Sequence, residues 1–203
     1  GNALRCIGKY HFEREKIKNC LVETDAGLID VELNDKTSIS VDIGVPKFGW
    51  KDIPLSRELD CFDLGFNLDY LKNGFALNVG NPHLVFIVDD LDKKKLLVDS
   101  KSIYQSKFFP DGVNISTAVI NKTNEISVLT NERGAGITKA CGTGACASVV
   151  AGNKMKLLEK KVLVKMTGGS IIVEITTNNH IFMTGNAVKI FEGTIDMDSF
   201  TNE

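Results

Sequence analysis

The sequence predicts an α/β fold of two similar, pseudo-symmetric units, each a curved and mostly antiparallel sheet or barrel around one central helix. The first observation behind this prediction is an internal repeat, in which residues 21–33 align with residues 163–175 and six of the thirteen pairs are identical. Chance similarity between alternating strands is the alternative, but the repeat also shares a glycine and a glutamate, which alternation does not explain. The second observation is that glycine-rich turns precede two predicted helices, at 4–15 and 144–158.

The remaining elements follow from hydrophobic periodicity and turn signals along the chain. A third helix is predicted at about 91–108, where apolar residues recur at helical spacing. Most other segments alternate between apolar and polar residues, which is typical of half-buried strands. We expect strands at about 20–24, 28–33, 38–43, 74–79, 84–88, 114–120, 125–130, 161–166, 170–176, 180–184 and 187–192.

Composition excludes several classes of function. The formal net charge is −2 and the pI is about 6.0, which argues against a nucleic-acid or anionic membrane partner. Five cysteines without C-x-x-C spacing indicate neither a disulfide framework nor a zinc site, so we expect a reducing cytoplasm and no metal. No apolar stretch reaches the roughly 18 residues that a membrane span needs.

Cys141 is the most informative residue, because it stands at a glycine-rich turn that opens a helix of small residues. Free N–H groups and the helix dipole favour negative charge at a helix N-terminus, so we expect them to lower the pKa of this thiol. The same N–H groups can hold a substrate carboxylate. The structural alternative is a small buried thiol packed at a turn. In the repeat, the residue before Gly1 would correspond to Cys141, so two cysteines would face each other.

Five short motifs then occur in one order: Gly-Asn-Ala-Leu-Arg-Cys at 1–6, Gly-Asn-Pro-His at 80–83, Phe-Pro-Asp-Gly-Val-Asn at 109–114, Glu-Arg-Gly at 132–134 and Ala-Cys-Gly-Thr-Gly-Ala-Cys at 140–146. Together they resemble the diaminopimelate epimerase family over essentially the whole chain. The resemblance implies that residues 46–186 form the carboxy-terminal domain, and that residues 1–45 with 187–203 belong to the other domain. It also implies that an amino-terminal part, with the first catalytic cysteine, is missing from this chain.

The same resemblance assigns roles to individual residues. It implies catalytic roles for Cys141, His83 and Glu132, and substrate binding by Gly1, Asn2, Asn81, Asn114, Glu132, Arg133, Gly142 and Thr143. Arg133 can take a carboxylate in a fork and Glu132 can take an ammonium group, although a surface ion pair is the simpler interpretation of this couple. His83 is either a structural histidine or a neighbour of a catalytic thiol.

The implied function is a cofactor-independent epimerase that interconverts LL- and meso-diaminopimelate in lysine and peptidoglycan precursor synthesis. We expect a small-molecule substrate, a homodimer and no cofactor. One alternative is a proline-racemase-like amino-acid racemase, which would not need Asn81, Asn114 and Arg133 together. Another is a ligand-binding fragment without turnover, because a chain without a group opposite Cys141 cannot return a proton to Cα.

Overall fold

The computed structural model describes residues 1–24 and 27–195. Within these ranges the elements, in chain order, are α1 (Asn2–Glu15), β1 (Asn19–Thr24), β2 (Gly27–Leu33), β3 (Ser38–Asp42), β4 (Phe66–Asn67), β5 (Lys72–Asn73), β6 (Phe75–Asn78), β7 (Pro82–Ile87), α2 (Lys93–Gln105), β8 (Asn114–Lys122), β9 (Glu125–Glu132), β10 (Gly136–Ile137), α3 (Gly142–Lys154), β11 (Lys161–Met166), β12 (Gly169–Ile175) and β13 (Ile181–Asn186).

One large sheet forms the frame of the molecule. Its strand order is β1-β2-β3-β13-β12-β11-β9-β8-β7-β6, with β10 added at β9, while β4 and β5 form a separate pair. Neighbouring strands are antiparallel except for β9 with β11 and β7 with β8. The structure therefore confirms the predicted α/β class with a mostly antiparallel sheet. No helix in the described part of the chain is long and apolar enough to cross a membrane.

The repeat seen in the sequence is also a structural repeat. The β1–β2 and β11–β12 hairpins are the aligned segments, and they have equivalent registers. Gly27 pairs with Thr24 in the first hairpin, and the equivalent Gly169 pairs with Met166 in the second. Both glycines have positive φ, 108° and 139°, a conformation that residues with a Cβ rarely adopt. This backbone requirement explains why the repeat shares a glycine as well as alternating apolar residues.

Each half of the sheet is packed against its own helix. α1 covers β1–β3 through an apolar cluster that includes Phe12, Val31 and Val41. α3 is surrounded by strands, and its residues 144–152 are all buried. The apolar residues of α3 belong to a separate cluster, to which β6–β9 and β11–β13 contribute. This separation supports the division between residues 1–45 and 46–186, which remains a proposal.

The predicted strand at 187–192 is wrong. β13 ends at Asn186, and residues 187–195 carry no regular secondary structure. One further backbone bond, from the Ala187 N–H to the Thr37 carbonyl at 3.0 Å, continues the direction of β13. Beyond it, Ile190 and Phe191 are 90% and 84% exposed. Apolar and polar residues alternate over 187–192 as they do in a strand, but a strand also needs a neighbouring strand with which to exchange hydrogen bonds.

Candidate active site

Cys141 is the N-cap of α3, so its side chain faces the free N–H groups of the first helical turn. Its Sγ accepts a hydrogen bond from the Gly144 N–H at 3.4 Å and lies 3.6 Å from Thr143 Oγ1. Gly144 permits this arrangement, since a Cβ there would lie 2.6 Å from Thr130 Oγ1. The glycine therefore lets the helix begin directly against the strands, with the thiol at its end.

The state of this thiol differs from the sequence-based expectation. Burial raises the pKa of Cys141 to about 11, against the opposing effect of the Gly144 N–H and the Thr143 hydroxyl. The carboxyl group of Glu132 raises the pKa further. The expected lowering was wrong because desolvation in the closely packed site outweighs the helix-end N–H groups. At neutral pH, Cys141 is therefore a thiol that can donate a proton.

The N-termini of α1 and α3 converge on Met183 of β13. A Cβ built on Gly1 would overlap Met183 Cε, and one built on Gly142 would lie 2.8 Å from Met183 Sδ and 3.5 Å from Asn2 Oδ1. A cavity of about 350 Å³ opens beside them, lined by Asn2, Arg5, Ala140, Gly142, Met166, Gly168, Gly169, Ser170, Ile171 and Asn186. The structure thus brings together the two turns that the repeat relates.

Arg5 is a residue of this cavity that the sequence analysis missed. Its side chain is 92% buried, since only 8% is exposed, and its Nη2 donates to Asn2 Oδ1 at 2.8 Å. Its Nε and Nη1 have no partner among the described residues. The i, i+3 spacing from Asn2 within the first motif was the signal that could have identified it.

His83 lies fully buried on β7, between β6 and β8 of the same sheet. Its Nε2 is 3.0 Å from Asn81 Oδ1, whereas Nδ1 has no partner among the described residues. Because the amide oxygen accepts, Nε2 carries the proton and Nδ1 is an acceptor. Burial lowers the pKa of His83 to about 3, so the imidazole is neutral. Its polar contact is with Asn81 and not with Cys141, so a direct interaction of His83 with a catalytic thiol remains a prediction.

Glu132 is the last residue of β9 and Arg133 follows it in the turn. Both residues line an open cleft of about 370 Å³, together with Tyr104, Gly112, Asn131, Gly134 and Gly136. Arg133 is exposed, and its Nη1 donates to the Asp111 carbonyl at 2.7 Å. Gly112 permits the close approach of this side chain, because a Cβ there would lie 2.9 Å from Arg133 Cδ. The guanidinium is therefore held at the cleft by a backbone carbonyl, not by the neighbouring carboxylate.

Asn114 is buried between these two parts of the site. Its Nδ2 donates to the Pro82 carbonyl at 3.0 Å, and its Oδ1 accepts from the Arg133 N–H at 3.0 Å. The amide therefore joins the start of β7 to the turn after β9. A direct contact of Asn114 with substrate remains a prediction.

The donor set of the site carries no sign of a metal centre. Within residues 1–24 and 27–195, no group of three or more His, Cys, Asp or Glu side chains is arranged to hold a metal ion.

Comparison with known proteins gives consistent matches. Residues 75–190 match a family model described as diaminopimelate epimerase. A diaminopimelate epimerase from Zymomonas mobilis subsp. mobilis is 35% identical over 201 residues, which cover 99% of this chain and 72% of that protein. The same named enzyme from Erythrobacter litoralis is 37% identical with the same coverage. A probable proline racemase structure from Agrobacterium radiobacter K84 covers 100% of this chain and 69% of that one, with a TM-score of 0.64 and 14% identity, which shows a shared fold.

Proposed function

The chain belongs to the diaminopimelate epimerase family of isomerases, and on that premise we propose that it takes part in the interconversion of LL- and meso-diaminopimelate without a cofactor. The observation that carries the proposal is the position of Cys141 at the N-terminus of α3, which meets the N-terminus of α1 across Met183. The proposal also includes a role in lysine and peptidoglycan precursor synthesis, a homodimeric state and a cytoplasmic location.

Epimerisation breaks the Cα–H bond on one face and forms a new one on the opposite face. A thiolate at the amino end of α1, at the position that the repeat places before Gly1, takes the first proton. The Cys141 thiol gives its proton to the carbanion on the other face. After turnover, Cys141 is the thiolate and the opposite group is the thiol, so the reverse reaction starts from that state. No electron or net proton is consumed.

The carbanion must be stabilised by groups at the reacting carboxylate. We place this carboxylate between the two helix N-termini, at Gly1, Asn2, Gly142 and Thr143. Helix-end N–H groups attract anions, and fixed donors at a buried site stabilise developing charge more than water does. The buried guanidinium of Arg5, bonded to Asn2, adds positive charge to the same cavity wall.

The distal end of the substrate distinguishes the two enzyme candidates. Diaminopimelate carries a second ammonium and carboxylate group, whereas proline does not. The exposed guanidinium of Arg133 and the half-buried carboxyl of Glu132 lie in one cleft and are suited to such a zwitterion. Asn81 adds a neutral polar side chain. This paired charge at the cleft favours the epimerase over a proline-racemase-like enzyme.

The proposal is tested by incubating the full-length protein with LL-diaminopimelate in D₂O without added cofactor. We expect the meso isomer to form with deuterium at Cα, both with and without EDTA, and we expect no exchange with L-proline. Exchange with proline alone would favour the racemase. Binding of diaminopimelate without exchange or isomer formation would favour a ligand-binding protein.

A further inference from the structure

Thr138 lies beside Glu132 in the turn that leads to Cys141. After β9 the chain folds back, so that Gly136 of β10 pairs with Glu132. The Thr138 N–H then donates to the Thr130 carbonyl at 3.4 Å, which continues this pairing. The backbone of the hairpin therefore places the Thr138 side chain next to the Glu132 carboxyl.

The Thr138 hydroxyl donates to Glu132 Oε1 in a short hydrogen bond. The other acceptor near this hydroxyl, the Ala140 carbonyl, is 3.5 Å away. A threonine hydroxyl has one proton to donate, and the shorter contact with a carboxylate is the stronger of the two. The bond restrains the orientation of the Glu132 carboxyl group.

Glu132 in turn acts on the Cys141 thiol. The carboxyl group of Glu132 raises the pKa of the Cys141 thiol, both as a hydrogen-bond partner and through its charge. The Cys146 thiol and the amino group of Gly1 also interact electrostatically with Cys141. The neighbouring guanidinium of Arg133 is bonded to the Asp111 carbonyl.

We propose that Thr138 is a positioning residue, whose hydroxyl fixes the Glu132 carboxyl group in the turn that leads to Cys141 and so controls proton transfer at this thiol. This inference deepens the proposed function and rests on it for its catalytic consequence. It assigns a task to a side chain that reaches the reacting atoms only through Glu132.

The first test compares Thr138→Val, which keeps the shape and removes the hydroxyl, with Thr138→Ser, which keeps the hydroxyl. In Thr138→Val, we expect kcat to fall about 10-fold and the basic limb of the kcat–pH profile to move to lower pH by about half a unit or more. The basic limb moves to lower pH because the Cys141 thiol loses its proton at lower pH when the Glu132 carboxyl group is no longer held near it. Thr138→Ser should stay within about 2-fold of the wild type and keep its basic limb.

The second test needs no turnover. Alkylation of Cys141 by iodoacetamide is followed over pH by mass spectrometry of the Cys141 peptide, and the midpoint should be lower in Thr138→Val than in the wild type and Thr138→Ser. Glu132→Gln should lower the midpoint too, and adding Thr138→Val to it should cause no further shift.

An unchanged midpoint in Thr138→Val, a lowered midpoint in Thr138→Ser, or additive shifts in the double variant would each overturn the proposal. If Thr138→Val does not fold, as judged by circular dichroism, Thr138→Ala replaces it with the same criteria. A lowered midpoint in a protein that does not epimerise diaminopimelate would contradict the proposed function and leave the role of Thr138 intact.

Discussion

Asn114 holds the Arg133 backbone in place: its buried amide oxygen accepts the Arg133 N–H at 3.0 Å. The other end of the same amide donates to the Pro82 carbonyl. One side chain therefore sets the distance between the strand that carries His83 and the turn that presents Arg133. This arrangement makes the shape of the cleft beside Arg133 dependent on a residue within the protein interior.

We predict that Asn114→Ala lowers the free energy of unfolding by about 2 kcal/mol, because two buried backbone groups lose their partner. KM should rise more than kcat falls, since the turn carrying Arg133 is no longer held. Urea unfolding and steady-state kinetics measure both effects. Asn121→Ala is the control, because Asn121 is exposed and bonds the Ser127 side chain. Equal effects in the two variants would contradict the role of Asn114.

Arg133→Lys keeps the positive charge but removes the planar fork that binds a carboxylate bidentately. We predict a loss of about 2 kcal/mol in transition-state stabilisation, measured as the change in kcat/KM for diaminopimelate. Arg57→Lys, at an exposed arginine over the Phe108 ring, should leave kcat/KM unchanged. A change below about 0.5 kcal/mol in Arg133→Lys would show that Arg133 is an ordinary surface residue.

Gly144→Ala places a methyl group where it would lie 2.6 Å from Thr130 Oγ1 and 3.1 Å from Ser116 Oγ. We predict a destabilisation of about 1–3 kcal/mol from overpacking, together with loss of turnover as the N–H facing Cys141 is displaced. Thermal unfolding and activity are the measurements. Gly193→Ala, with nothing within 4 Å of the new Cβ, should affect neither. A fully active Gly144→Ala would contradict the geometry described for the site.

His83 makes the stability of the protein dependent on pH. Its pKa is lowered to about 3 in the folded protein from an ordinary value of 6.5. As pH falls below about 6.5, the unfolded state takes up a proton that the folded state does not, so stability is lost. This contribution decreases by about 2 kcal/mol between pH 7 and pH 5.

Urea unfolding at pH 7 and pH 5 measures this loss, which His83→Gln should remove. The control is His11→Gln, which changes an exposed histidine on α1. This variant should lose as much stability between pH 7 and pH 5 as the wild type does. A wild-type pH dependence in His83→Gln would show that other groups are responsible.

Local sequence patterns were sufficient to predict most of the fold. The three helices, most of the strands and the β1–β2/β11–β12 repeat depend on periodicity and on glycines such as Gly27 and Gly169, which act within their own hairpins. The failure at 187–192 arose because pairing depends on a neighbouring strand. No local pattern reports whether one is present.

The site was only partly predictable, because its chemistry depends on packing between distant segments. The motif containing Cys141 predicted a thiol at a helix N-terminus, which the structure shows. Its raised pKa depends on burial by strands distant in sequence, and the contacts of Asn114 join residues 82, 114 and 133. Thr138 was missed because its role follows from the β9–β10 hairpin and not from its sequence neighbours.

The most direct test of the account is proton exchange at Cα of diaminopimelate by the Cys141→Ala variant, followed by NMR in D₂O with chiral separation of the isomers. We predict that this variant does not interconvert the LL and meso isomers, while Cys61→Ala, which removes a buried cysteine from an apolar cluster that does not include Cys141, retains wild-type exchange. Interconversion of the two isomers by Cys141→Ala at the wild-type rate would contradict the central claim that Cys141 transfers the proton.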